Sequence, residues 1–219
     1  MPTETAQKKL KRTATIISRL KKAYPDAHCA LDHRTPLQLL VATILSAQCT
    51  DVRVNMVTPE LFKRFPDAAA LADANIADIE QIIRSTGFFR AKARAVQQTA
   101  RLLVQNFSGQ VPDTMEALTS LRGVGRKTAN VVLGNAFGKN EGIVVDTHVG
   151  RIARRLGLTR HENPEKVEQD LMKLVPKKDW ALFAHLLIFH GRNICFARKP
   201  NCDACTLSDI CPSAFKIAK

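Results

Sequence analysis

Leu121-Arg122-Gly123-Val124-Gly125-Arg126-Lys127-Thr128-Ala129-Asn130-Val131-Val132 is the stretch on which the rest of the chain turns. Two glycines flank one valine, and a helical apolar pattern starts immediately afterwards. Upstream, Asp113-Thr114-Met115-Glu116 opens another helix, with Asp113 placed to cap it and Glu116 to reach back as a capping box. The unit reads as helix, tight Gly-Val-Gly turn, helix. Glycines admit positive φ and a close approach by another backbone. Successive N–H groups in such a turn, at the start of a helix, form an anion site. Arg122, Arg126 and Lys127 stand around it, so the anion it suits is a nucleic-acid phosphate. A Gly-x-Gly pair alone describes an ordinary helical corner with a basic rim equally well, and the remainder of the chain has to decide.

At 219 residues the chain holds one large domain or two small ones. Its 45% hydrophobic content supports a packed core and excludes global disorder. Lys and Arg number 33 against 20 Asp and Glu, a net charge of +13 that is the electrostatic footprint of a polyanion binder. The N-terminal stretch carries Lys8, Lys9, Lys11 and Arg12 and lacks the continuous apolar segment of a secretory signal. The best apolar run, Trp180 to Phe189, is too short to span a bilayer and contains His185, so it reads as a buried helix. These features predict a soluble, intracellular protein with no membrane partner.

Nearly every segment carries a helical pattern. Residues 5–23 repeat Leu10, Ile16, Ile17 and Leu20 at helical spacing. Thr35-Pro36 starts a helix that is apolar almost all round, a central buried one. Ser46-Ala47-Gln48-Cys49-Thr50-Asp51 then breaks the chain, and Asp51 is placed to cap the helix from Val52 to Phe65. Gly87 breaks it again before a helix from Ala91 to Phe107 with Lys92, Arg94 and Arg101 on its polar face. Ile143-Val144-Val145 is β-like but too short to imply a sheet. Asp146-Thr147-His148 and Asn163-Pro164-Glu165 start two further helices. The fold class predicted is all-α.

Cys195, Cys202, Cys205 and Cys211 fall within seventeen positions, separated by six, two and five residues. Four thiols this close in a basic, reducing-compartment protein read as one four-cysteine metal site. Tetrahedral zinc and a four-iron–four-sulfur cluster both accept four thiolates. Arg198 and Lys199 lie between the first two ligands, where a metal pinning the loop would fix two cations in space. Cys29 and Cys49 are isolated and read as small buried hydrophobes.

Taken together, the hairpin, the Val145-Asp146-Thr147-His148 segment, the cysteine spacing, Ser46-Ala47-Gln48-Cys49-Thr50-Asp51 and His190-Gly191-Arg192 resemble the endonuclease III family across essentially the whole chain. That family comprises bifunctional DNA glycosylase and abasic-site lyases of the helix–hairpin–helix superfamily. The resemblance implies two helical domains with a cleft between them. One, residues 29–139, is a six-helix barrel carrying the hairpin at about 114–137. The other joins residues 1–28 to 140–219 and holds the cysteines. It also selects a 4Fe–4S cluster over zinc, and implies a monomer that acts on damaged double-stranded DNA in the cytoplasm, on the nucleoid.

By position in the family, Lys127 is the nucleophile and Asp146 the catalytic carboxylate. Read from residue type alone, Lys127 serves equally as a phosphate ligand, and Asp146 is a good helix N-cap. As an attacking amine Lys127 must shed its proton, which the positive end of its helix favours. The family places Gln48 and Phe88 where they fill the gap left by an extruded nucleotide. Arg122, Gly123, Val124, Gly125, Arg126, Arg198 and Lys199 are the further DNA contacts it implies. Phe89 and Arg90 stand where many members have Tyr and Asn. His148 reads as a packed, hydrogen-bonded histidine. The function expected is removal of oxidised pyrimidines with strand cleavage 3′ to the abasic site through a lysine Schiff base. Two alternatives remain: an adenine mismatch-specific glycosylase, which generally lacks the hairpin lysine, and a non-catalytic helix–hairpin–helix DNA-binding module, which needs neither Lys127 nor Asp146.

Overall fold

A computed structural model describes residues 4–216. The helices are α1 (Ala6–Ala23), α2 (Pro36–Leu45), α3 (Asp51–Arg64), α4 (Ala68–Asp73), α5 (Ile76–Ile83), α6 (Phe89–Phe107), α7 (Met115–Ser120), α8 (Arg126–Ala136), α9 (Thr147–Arg155), α10 (Pro164–Leu174) and α11 (Trp180–Asn193). No strand forms among the described residues. Ile143-Val144-Val145 is irregular chain whose Ile143 and Val145 bury in a helical core.

Most helices start where their caps predict. Thr35 Oγ1 accepts the Gln38 N–H at 3.2 Å, with Pro36 in the first helical position. Asp67, Asn75 and Asn163 cap α4, α5 and α10 in the same way. Two expected caps are displaced by one residue. Thr50, not Asp51, accepts the Arg53 N–H at 3.3 Å. Thr114, not Asp113, accepts the Ala117 N–H at 3.3 Å. In both pairs threonine takes the extended backbone of the cap. Asp51 then lies in the first turn of α3, where its charge suits the helix dipole, and Asp113 pairs with the Lys139 ammonium at 2.5 Å.

The chain divides into two compact units. Cys29–Glu141 forms one; the chain up to His28, together with the chain from Gly142 onward, forms the other. The outer limits expected for the second domain, residues 1 and 219, lie outside the described residues. In the continuous unit α2 buries Leu39, Leu40, Val41, Ala42, Ile44 and Leu45 and packs on α3, α6 and α8. α4 and α5 pack on α6, and α7 and α8 lie against each other as a hairpin. Burying leucine-sized side chains of this kind gives about 1.5–3 kcal/mol each, so α2 is the organising helix of that unit.

In the discontinuous unit α1 packs on α10 and α11, and α9 packs on the same two helices, around Ile16, Leu20, Val149, Ile152, Phe183 and Leu187. Polar ties from α1 close it. Arg12 donates to the Leu156 carbonyl at 2.6 Å, Arg19 pairs with Asp209, and Lys21 pairs with Asp179 at 2.7 Å. No described helix is long and apolar enough to cross a membrane.

Candidate active site and cysteine cluster

The Gly-Val-Gly turn is held from below. Leu121 and Val124 are buried, the Val124 N–H donates to the Leu121 carbonyl at 3.1 Å, and Thr99 Oγ1 on α6 donates to the Arg122 carbonyl at 2.8 Å. Gly123 adopts φ +81°, the left-handed conformation that favours glycine. Gly125 does not: at φ −89° it is the N-cap of α8, with no side chain capping the helix. A Cβ built on Gly125 meets nothing within 4 Å. The start of α8 is therefore an open helix N-terminus, with exposed Arg122, Arg126 and Lys127 around it and Lys127 in its first turn. That is a ready anion site.

Asp146 is the N-cap of α9, its Oδ1 accepting the Val149 N–H at 2.8 Å, and it is half-buried. His148 is the packed histidine expected, its Nδ1 lying 3.2 Å from the Arg151 guanidinium. Gln48 and Phe88 both sit at exposed turns of the continuous unit, and both hold left-handed backbone, φ +53° and +46°. Phe88 is 69% exposed. Lys199 shares this conformation at φ +51°, and Arg198 and Lys199 are both exposed. Arg90 lies over the ring of Phe89, its guanidinium carbon 5.4 Å from the centroid.

One residue was placed on the wrong face by the sequence. Lys92 is not on the polar face of α6. It is 5% exposed, and its ammonium donates to the Thr86 carbonyl at 2.8 Å. Arg94 and Arg101 are exposed as expected, Arg101 also donating to the Ala72 carbonyl at 3.1 Å.

Cys195, Cys202, Cys205 and Cys211 line one cavity, with Ile152, Leu156, Ile194 and Leu207 among its walls. None is in a disulfide. No three His, Cys, Asp or Glu side chains among the described residues converge closely enough to hold a single metal ion. Four thiols around one cavity are the donor set of a metal–sulfur centre. Burial pushes the Cys205 and Cys211 thiols up, and the neighbouring cysteines add to this, so these two thiolates are unfavourable unless a bound metal compensates their charge. The donors are arranged for sulfur. Arg155 reaches Cys195 Sγ at 3.3 Å and the Phe196 and Ala197 carbonyls at 2.6 and 2.8 Å, and the Leu207 N–H points at Cys205 Sγ at 3.4 Å. His190 Nε2 lies 3.6 Å from Cys205 Sγ, and burial lowers its pKa to about 4, leaving it neutral. Cys29 and Cys49 pack against the other unit's core, as expected.

The helical fold with this hairpin is that of the HhH-GPD superfamily of base excision DNA repair proteins, whose pattern matches residues 41–177. The iron–sulfur binding domain of endonuclease III matches residues 195–211, beginning and ending on the first and fourth cysteines. Endonuclease III of Synechocystis is 57% identical over 94% of this chain and 94% of its own length. Among solved structures, a non-covalent endonuclease III–DNA complex covers 99% of this chain and 98% of its own, at TM-score 0.90 and 41% identity. A trapped endonuclease III–DNA covalent intermediate, covering 99% of both chains, aligns at TM-score 0.89 with the same identity. The chain belongs to the endonuclease III family. Its cofactor is a 4Fe–4S cluster.

Proposed function

We propose that this chain is a bifunctional DNA glycosylase and abasic-site lyase that removes oxidised pyrimidines from double-stranded DNA. The observation that carries the reading is Lys127 in the first turn of α8, directly behind an open, glycine-capped helix N-terminus. That the endonuclease III of the covalent structure was trapped on DNA supports a covalent route here.

In this reading the hairpin seats a backbone phosphate on the α8 N-terminus, with Arg122 and Arg126 beside it and Gly123, Val124 and Gly125 giving the close approach. The target nucleotide leaves the stack, and Gln48 and Phe88 fill the gap. The Lys127 amine attacks C1′. The bond from C1′ to the base breaks, and the base leaves with its electron pair. Loss of the amine proton and opening of the sugar give an imine. Removal of a C2′ proton then expels the 3′ oxygen with its phosphate, cutting the strand 3′ to the site. The Asp146 carboxylate stabilises positive charge at C1′ while it caps α9. Cys195, Cys202, Cys205 and Cys211 hold the cluster, which cross-links the loop when bound. Arg198 and Lys199 are thereby fixed as phosphate contacts, and Arg155 holds the loop's carbonyls. The protein acts as an intracellular monomer on DNA.

Borohydride reduction of the cluster-loaded protein on duplex DNA with an oxidised pyrimidine tests this. A covalent adduct forms with the parent and is lost with Lys127→Ala, which lowers strand cleavage by about a thousandfold or more. Base release without an adduct would make Lys127 a phosphate ligand, and DNA binding with neither would leave a non-catalytic module.

A further inference from the structure

Phe88 and Gln48 are exposed tips, yet both hold a backbone conformation that L-residues rarely adopt. Gly87, before Phe88, is stranger still: φ +71° and ψ 154° lie in a region open essentially to glycine alone. Such a turn persists only where its surroundings over-determine it. The surroundings here are Thr86 and Lys92. Thr86 is 2% exposed and its Oγ1 donates to the Ile83 carbonyl at 2.8 Å. Its own carbonyl accepts the Lys92 ammonium at 2.8 Å, and the Phe88 carbonyl accepts the Lys92 backbone N–H at 3.1 Å. The lysine side chain therefore holds the turn on the Thr86 side of Gly87, while the first backbone bond of α6 holds it on the Phe88 side. The Cys49 thiol, next to Gln48 in the other exposed turn, is near enough to act on the Lys92 charge. Desolvation of that charge holds the ammonium below the ordinary lysine range and costs the fold stability. An apolar residue at position 92 would spare that cost but leave the Thr86 carbonyl without a partner, so the lysine is explained by what it holds.

We propose that Lys92 is a positioning residue for nucleotide extrusion: its buried ammonium fixes the Thr86–Gly87–Phe88 turn, beside the Gln48–Cys49 turn, so that Phe88 stands pre-formed to enter the DNA stack. Lys92 itself touches no DNA. It removes the ordering cost that a mobile tip pays on insertion, which is how preorganisation raises a rate without adding a contact. The inference rests on the reading of Phe88 as the gap-filling residue.

The test uses the full, cluster-loaded chain as parent, Phe88→Ala, Lys92→Met, Gly87→Ala and the Phe88→Ala/Lys92→Met double variant. The probe is duplex DNA with one thymine glycol and 2-aminopurine opposite it, whose fluorescence rises when that base unstacks. Lys92→Met melts near the parent temperature, because relief of the buried charge offsets the Thr86 carbonyl left without its partner. It loses about tenfold in single-turnover base release, the worth of one charge-assisted hydrogen bond, together with most of the fluorescence rise. The double variant loses no more than Phe88→Ala alone, since both act through one side chain. Gly87→Ala gives the same phenotype. A Cβ there meets nothing within 4 Å, so its effect is backbone displacement alone, and it carries the test if Lys92→Met does not fold.

Parent-like rate and fluorescence in Lys92→Met, or in Gly87→Ala if it stands in, would overturn the proposal, as would independent losses in the double variant. Parent-like behaviour of Phe88→Ala would overturn the gap-filling reading and this inference with it. Absence of base release by the parent would overturn the enzymatic reading from which both descend.

Discussion

Asp146 accepts the Val149 N–H through Oδ1 at 2.8 Å, and asparagine caps a helix as well as aspartate does. The two substitutions Asp146→Asn and Asp146→Ala therefore separate cap from charge. Asp146→Asn is expected to melt with the parent, while Asp146→Ala loses about 1 kcal/mol of stability. On the proposed role of Asp146 both lose base release by about a hundredfold, since each removes the carboxylate. Thermal melts and single-turnover rates on the same preparations decide it; an asparagine variant at parent rate would leave Asp146 a cap only. At this scale the sequence was read well where a residue's neighbours in the chain define its task, as with Asp146 before Thr147-His148. It was read poorly at Lys92, whose partner Thr86 lies before the helix. Its spacing to Val96, Thr99 and Leu103, all buried, was the available signal: Lys92 opens the apolar stripe of α6, and charge alone argued for the other face.

The hairpin makes its own demand at the scale of the element. Its two glycines look equivalent in the sequence and are not. Gly123 needs φ +81°, and a Cβ there also stands 3.5 Å from the Ala95 Cβ. Gly123→Ala should cost about 1–2 kcal/mol through the left-handed backbone. Gly125→Ala, at φ −89° in open space, should cost less. If the proposed phosphate sits at the α8 N-terminus, DNA affinity should reverse the order of damage per unit of stability lost, because the methyl of residue 125 takes space in front of that end of the helix. Equilibrium unfolding and fluorescence-anisotropy titrations of both variants check this, and equal affinity for Gly125→Ala and parent would remove the phosphate from that end of the helix. The displaced caps belong to this scale too. Thr50-Asp51 and Asp113-Thr114 each offer two good capping side chains in sequence. Propensity cannot choose between adjacent candidates; the approach of Lys139 to Asp113, from 26 residues away, helps settle the second. Left-handed backbone at Gln48 and Phe88 was equally invisible, since neither is glycine and the strain is imposed by what lies underneath.

Across the whole molecule, acid should act on both units through paired carboxyls. The Arg12 guanidinium, bonded to Glu4, holds that carboxyl below its usual range, and the Lys139 ammonium does the same for Asp113. A carboxyl whose folded pKa is depressed contributes stability that is complete above its unfolded value, near 4, and disappears as the pH falls through the folded one. Through these pairs melting temperature should be level above about pH 5 and fall below about pH 4, while His190, held neutral by burial, begins to lower it once the pH drops below its unfolded value near 6.5. Lys139→Met should melt below the parent at neutral pH, with the gap closing on acidification as Asp113 protonates in both. A gap that persists to low pH would trace the effect to packing of the lysine stem instead.

The division into a continuous unit and one assembled from both ends of the chain also sets an order of manufacture. On the ribosome, Cys29–Glu141 is complete before α9 to α11 have been translated, so the hairpin and its supporting helices can fold early. α1 is made before that unit and must wait, its apolar face uncovered, until α10 and α11 arrive to cover it. Cys211 emerges later still. Insertion of iron and sulfur must thus await Cys211, after the hairpin unit is complete, and a cell short of iron would accumulate chains whose hairpin is finished while the cysteine loop is not.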